Sequence, residues 1–187
     1  ADRWSEVDGI SGVNIVNASF AFALVQPFGV TPEQFCTALE SFVGLSHRNE
    51  FVAEINGVRY INDSKATNPG STVAAIQAQS SPVYLILGGQ TKGADLAPVL
   101  EAVRSGVKGF VTLGVDAPRF EALLPAELHL GRVQSIEAAV ASVAEHAIEG
   151  DVCLLSPAAA SLDMFENYQV RGAKFAAAVR ALEGKGQ

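Results

Sequence analysis

Residues 62–71 read NDSKATNPGS and crowd Asp63, Ser64, Lys65, Thr67 and Asn68 into one segment directly after the apolar run VRYI at 58–61. Such a set suits a strand-to-helix turn, because Asx and hydroxyl side chains cap helices and Pro69 fits a first helical turn. It also suits a loop that binds a ligand. A second segment, GGQTKGAD at 88–95, pairs two glycines that permit a sharp turn with a lone cation, Lys92. It is not a P-loop, since Lys92 precedes Gly93 and no Ser or Thr follows it, and it is not the G-x-G-x-x-G of a nicotinamide-binding turn. Lys92 is either a solvated lysine or an anion-binding one. In a third segment, SPAAASLDMF at 156–165, three alanines lead to Ser161, Leu162 and Asp163. Either Ser161 caps a helix, or its hydroxyl and the exposed amides of a helix start hold a carboxylate or phosphate.

The elements around these segments place all three on one edge. From Asn14 to Gln26 small and apolar residues recur at helical spacing, and Phe28-Gly29 is a stop. Thr31-Pro32-Glu33 opens a second helix with TPEQFCTALESF as its body and Gly44 as its end. A hairpin follows, EFVAEI and VRYI about an Asn56-Gly57 turn. Apolar strands are expected at 83–88, 109–114, 127–130 and 151–156, with helices at about 70–79, 94–104, 116–123, 135–148 and 170–183. Strands so uniformly apolar are covered on both faces, which gives a doubly wound, mostly parallel α/β sheet behind a two-helix pair. In such sheets the strand-to-helix loops share the carboxyl edge, where ligands bind. His47-Arg48 sits in the connection between the helical pair and the sheet, where it either reaches a ligand between two domains or pairs with Glu50 at the surface. His129 and His146 fall in a strand and a helix and read as structural or solvated, and no Ser-His-Asp or Cys-His triad assembles.

Composition narrows the partners. The 187 residues are 49% hydrophobic, enough for one compact domain and a smaller appendage. A net charge of -7, with only 13 Lys plus Arg, leaves no basic field for a nucleic acid. Cys36 and Cys153 lie far apart, each in an apolar stretch, and are expected as buried free thiols. No run is long and apolar enough for a membrane helix and no signal peptide is recognisable, so a soluble, cytoplasmic protein is expected. The only methionine is Met164 and the sequence starts at Ala1, which suggests a piece of a longer chain.

The string INDSKATNPGST, preceded by GLSHR and followed by LGGQTKGAD and LLSPAAASLDMFENYQVRG, resembles the carboxyl-terminal part of the UDP-N-acetylmuramoyl-L-alanine:D-glutamate ligases. These are ATP-dependent members of the Mur ligase family, which builds bacterial cell walls. The likeness runs over nearly the whole chain and in the same order. It implies residues 1–44 as the last helices of a central ATP-binding domain, and 45–187 as a Rossmann-like domain that binds the incoming amino acid. It implies a reaction in which ATP, with Mg2+, phosphorylates the carboxylate of UDP-N-acetylmuramoyl-L-alanine and the amine of D-glutamate attacks the acyl phosphate. By the same resemblance Thr67, Lys92, Ser161 and the backbone at Leu162 hold the carboxylates of D-glutamate, and Tyr168 closes that pocket. Asn14 and Asn17 serve the adenine side. His47, Arg48, Asp63 and Lys65 approach the nucleotide, Asp63 toward the ribose and the cations toward phosphate. Gln90, Tyr168 and Val13 depart from the acidic residue, Phe and His usual at those places. With no P-loop and no magnesium ligands, this chain is expected to be inactive alone, a monomer that acts with the rest of its own chain. A folylpolyglutamate synthase, or a non-catalytic module that binds an amino acid or nucleotide, are the alternatives.

Overall fold

The computed structural model describes residues 13–42 and 44–184, the first two of them by backbone alone. The chain divides into two compact units, Ala1–Gly44 and Leu45–Gln187. The first holds α1 (Val13–Val25), a 3-10 turn at Gln26–Phe28 and α2 (Pro32–Glu40). Pro27 has no amide to continue α1, so the chain tightens into the 3-10 turn and leaves through Gly29 at φ 84°. Thr31 and Gln34 cap α2 reciprocally: the Gln34 amide donates to Thr31 Oγ1 and the Thr31 amide to Gln34 Oε1. The helix stops at Glu40 rather than reaching Gly44, with the Ser41 hydroxyl turned back onto the Ala38 carbonyl at 2.8 Å. Cys36 is only half-buried here, against the expectation of a buried thiol, because the second unit supplies the chain's large core; Cys153 is buried and both are free.

The second unit is a six-stranded sheet in the order β1-β2-β6-β3-β4-β5. β1 (Glu50–Ile55) and β2 (Val58–Asn62) form an antiparallel hairpin whose turn, Asn56-Gly57, has φ of 53° and 75°, the positive pair that two-residue hairpins favour. The other neighbours are parallel, joined through α3 (Pro69–Gln77), β3 (Val83–Gly88), α4 (Ala97–Gly106), β4 (Val107–Leu113), α5 (Ala117–Leu123), β5 (His129–Arg132), α6 (Ile136–His146), β6 (Val152–Leu155) and α7 (Tyr168–Glu183). Most of the expected boundaries in this unit shift by one to three residues. The fifth strand begins at His129, after a 3-10 turn over Ala126–Leu128, and α4 begins at Ala97 because the Asp95 carboxylate first accepts that residue's amide at 3.0 Å.

Alternation along each strand feeds two cores. Leu85, Leu87, Phe110 and Leu154 pack with Ile76, Val99, Val103 and Phe120 from α3, α4 and α5. Tyr84, Ile86, Val111 and Leu155 pack with Val140, Val143, Phe175 and Val179 from α6 and α7 on the other face. Burying one such aliphatic or aromatic side chain is worth about 1.5–3 kcal/mol, so a sheet covered on both faces is the stable solution for strands with no polar face. The chain runs outward from β3 through β4 to β5, then returns by α6 to insert β6 between β2 and β3. The carboxyl ends of β2, β6 and β3 are therefore adjacent, at the point where the winding reverses.

Gly88 and Gly89 close that edge. A Cβ on Gly88 would lie 1.8 Å from the Leu113 carbonyl oxygen, and one on Gly89 2.1 Å from that of Ala160, with φ at 128° and 125°. Gly89→Ala is expected to destabilise the second unit by roughly 2–4 kcal/mol, since backbone rather than a flexible side chain must give way. Urea unfolding of this variant against the parent checks it; a change below about 0.5 kcal/mol, the scale of ordinary surface substitutions, would show that the glycine is not required.

Candidate functional site

Each of the three loops begins at a buried strand and is fixed by hydrogen bonds to the others. After β2, the Asp63 amide donates to the Leu155 carbonyl at 2.8 Å, and Asn68 caps α3 by accepting from the Ser71 amide, with Pro69 in the first turn. After β3, Gln90 and Ala160 exchange both backbone hydrogen bonds, 2.8 and 2.9 Å, in a bridge that ties the second loop to the third. The second loop is also held from below: the Asp116 carboxylate accepts from the Thr91 amide and hydroxyl at 2.7 and 2.6 Å, which keeps its pKa below the usual range, and Arg119 bonds the Thr91 hydroxyl and the Ala94 carbonyl. After β6, residues 161–166 make turns rather than a helix. Ser161 is therefore not a helix cap; its carbonyl closes a turn onto Met164 and Phe165, and α7 starts only at Tyr168, capped by Asn167.

One side chain touches all three loops. Arg171, on α7 and 1% exposed, donates from Nε to Ser64 Oγ at 3.0 Å and from Nη2 to the Ser64 carbonyl at 2.8 Å. Its Nη1 reaches the Ala159 carbonyl at 3.1 Å and the Gly88 carbonyl at 3.4 Å. Burial pushes its pKa down to about 10 against the opposing pull of the Asp163 carboxylate, so the guanidinium stays charged at neutral pH. Ser64 completes the knot by donating its hydroxyl to the Tyr168 carbonyl at 2.8 Å. Sequence reasoning missed Arg171, although a signal was present: at four-residue spacing it lies in line with Phe175 and Val179, on the buried stripe of α7.

The side chains anticipated for ligand contact stand on this frame. Thr67 is half-buried, Lys92 is exposed at φ 52°, and Ser161 is buried beside Leu162, which is 60% exposed. Neither the Ser161 hydroxyl nor the Leu162 amide has a hydrogen-bond partner among the described residues. Tyr168 lies beneath Lys65, whose Nζ is 4.2 Å from the ring centroid, and meets the His47 ring edge-on at 6.1 Å. His47 and Asn49 both have positive φ, 65° and 47°. Of the five non-glycine residues in that region among those described, four (His47, Asn49, Lys92 and Ala158) belong to these loops or to the connection at 45–49 that leads into them, where such conformations persist only if the surroundings enforce them. Glu50 is held by His47 rather than Arg48: its Oε2 accepts from the His47 amide at 2.7 Å and lies 3.7 Å from Nδ1, while Arg48 is exposed. In the other unit Asn17 is exposed on α1; the Asn14 side chain lies outside the described residues. His129 stacks on Phe110 at 5.1 Å, and His146 bonds the Ser142 carbonyl. A pocket of about 220 Å³ is lined by Gly114, Val115, Arg132, Val133 and Gln134 together with Asp163 and Met164 of the third loop, and not by Thr67, Lys92 or Ser161.

Asp63 is nearly buried, its oxygens accepting from the Asn49 amide at 3.1 Å and the Ser156 hydroxyl at 2.9 Å. Burial outweighs those bonds and the nearby Arg48, and pushes its pKa from 3.8 up to about 6. A carboxyl whose folded pKa is raised favours the folded state fully below the unfolded pKa and loses that contribution as pH rises through the folded one. Asp63 is therefore expected to lower stability progressively between about pH 4 and pH 6, by up to about 3 kcal/mol. Asp63→Asn should flatten the stability profile across that window, measured by urea unfolding at stepped pH; an unchanged slope would contradict it.

The family model for "Mur ligase, glutamate ligase domain" matches residues 47–159. The chain is 46% identical over 172 residues to the UDP-N-acetylmuramoylalanine--D-glutamate ligase of Aromatoleum aromaticum, covering 90% of this chain and 37% of that protein. It is 44% identical over 184 residues to the enzyme of the same name from Shewanella oneidensis, covering 97% and 41%. The chain thus spans about two fifths of the length of the curated relatives it matches. Among solved structures, the MurF ligase of Thermotoga maritima in complex with ADP superposes with a TM-score of 0.68 at 16% identity, covering 94% of this chain and 40% of that one. A bifunctional folylpolyglutamate synthase/dihydrofolate synthase from Yersinia pestis, complexed with AMPPNP and Mn ion, gives 0.65 at 17%, covering 95% and 40%. At such identities the structures share the fold.

Proposed function

Because this chain belongs to the Mur ligase family, in the part described as the glutamate ligase domain, we propose that Leu45–Gln187 is the amino-acid-binding domain of an ATP-dependent ligase that adds D-glutamate to UDP-N-acetylmuramoyl-L-alanine. The observation that carries the reading is that the loops bearing Thr67, Lys92 and Ser161 follow the adjacent carboxyl ends of β2, β3 and β6. A dicarboxylic amino acid needs charged and hydroxyl donors for two carboxylates, and hydrogen bonds to the charged form are the strong ones. Lys92 supplies the cation, Thr67 and Ser161 the hydroxyls and Leu162 an amide, while Tyr168 walls the pocket. The relatives named for D-glutamate addition, at 44–46% identity, support this substrate over the folate-linked alternative, whose likeness is one of fold. They also favour an enzyme over a non-catalytic module.

In this reading Ala1–Gly44 is the end of the ATP-binding domain, with Asn14 and Asn17 toward the adenine. His47, Arg48 and Lys65 face the phosphates, and Asp63 reaches the ribose once one of its oxygens gives up the Asn49 amide. ATP supplies the phosphoryl group that makes the acceptor carboxylate reactive. The residues of this chain hold the amine donor by its carboxylates, so that its nitrogen is oriented for attack; positioning is most of the work in such a step. No group of three or more His, Cys, Asp or Glu placed to hold a metal ion occurs among the described residues, so the proposal leaves Mg2+ to ligands beyond them. The protein would work in the cytoplasm as a monomer, and the 187 residues alone would not turn over substrate.

Amide chemical-shift titration of the 187-residue chain tests the reading. D-glutamate is expected to shift signals in 62–68, 88–93 and 156–163 with low affinity, L-glutamate less so. Lys92→Ala is expected to weaken binding by roughly ten-fold or more, the scale of one hydrogen bond to a charged group. Equal responses to the two enantiomers, or none in those loops, would overturn it.

A further inference from the structure

Gly172 lies in the second turn of a sixteen-residue helix, where alanine is the better helix former and no left-handed backbone calls for glycine. What excludes a side chain there is His47, in the connection at 45–49, together with Asn62. A Cβ on Gly172 would meet His47 Nδ1 at 2.3 Å, His47 Cε1 at 3.0 Å and Asn62 Oδ1 at 3.0 Å. The imidazole is thus seated against bare helix backbone. Asn62, fully buried, is the hub of the contact: its Nδ2 reaches the Gly172 carbonyl at 3.2 Å, Glu50 Oε2 at 3.1 Å and His47 Nδ1 at 3.0 Å, and its Oδ1 accepts the Ser64 amide at 3.2 Å.

The consequence runs on from His47. Its carbonyl accepts the Lys65 amide at 3.0 Å, and its ring abuts Tyr168, over which the Lys65 ammonium rests. His47 holds φ 65°, a conformation a non-glycine residue keeps only when over-determined. We propose that Gly172 is a positioning residue: the notch it leaves in α7 seats the His47 ring and so fixes the connection at 45–49 and, through it, Lys65 on Tyr168. That Lys65 serves a ligand rests on the function proposed above; the notch itself does not.

The test is Gly172→Ala in the 187-residue chain, read by proton NMR. The Lys65 side-chain methylene signals should be shifted upfield in the parent by the Tyr168 ring current. In the variant they should move toward solvent values and the His47 ring signals should shift, while amide signals of β3, β4 and β6 stay in place. Thermal unfolding should show a lower midpoint for Gly172→Ala, recovered in the double variant with His47→Gly, which removes the ring and suits the positive φ. If Gly172→Ala leaves the His47 and Lys65 signals unmoved, or loses stability equally with and without the His47 ring, the proposal is overturned. Should the variant not fold, recovery of folding in the double variant supports the notch and its absence overturns it. Titration of the parent chain with ATP reports separately on the ligand role given to Lys65, since its failure leaves the Lys65 and His47 signals of the free chain unaffected.

Discussion

A single buried guanidinium organises the carboxyl edge of this sheet. Arg171 projects from α7 into the seam where three parallel strands end, and its donors are taken by backbone or hydroxyl oxygens from the loops after β2, β3 and β6. Carbonyls at strand ends have no ladder partner, and burying them unpaired is costly. A planar fork with five donors can serve several carbonyls from different directions, which a lysine ammonium on a flexible stem cannot. The charge is tolerated because its donors meet oxygens and the Asp163 carboxylate lies close enough to favour it.

Around that knot, the same loops carry conformations the backbone would not choose alone. Lys92 and Ala158 sit in the left-handed region, and Gly88 and Gly89 pass so close to neighbouring carbonyls that no side chain fits. The Gln90–Ala160 bridge and the Asp116–Thr91–Arg119 cluster hold the second loop, with Lys92 exposed on it. Rigid loops with unpaired donors at their tips are what a small charged ligand requires, since little ordering remains to be done on binding.

Much of this was legible in the sequence, for reasons that can be named. The apolar strands and their spacing gave the doubly wound sheet, and Asn56-Gly57 gave the hairpin, because both rest on local pattern. Loop composition marked Asp63 to Asn68, Lys92 and Ser161 as exceptional. What escaped was long-range. Arg171 joins Ser64 across 107 residues and Asn62 joins Gly172 across 110, and no local pattern encodes a partner so distant. The alanine run before Ser161 resembles a helix start, yet its last residue, Ala160, bridges to Gln90 instead. The burial of Asp63 was equally hidden, since an acid in a polar loop reads as solvated until β6 is found beside it.

Amide hydrogen exchange on Arg171→Lys asks most directly whether one side chain sets the geometry of the whole edge. If it does, protection falls together at Asp63, Gly88, Gln90 and Ala160, whose amides bond across the three loops, while amides inside β3, β4 and β6 keep the protection of the parent. Retained protection at those four amides, or loss confined to the loop that carries Ser64, would show that the loops hold their positions without it.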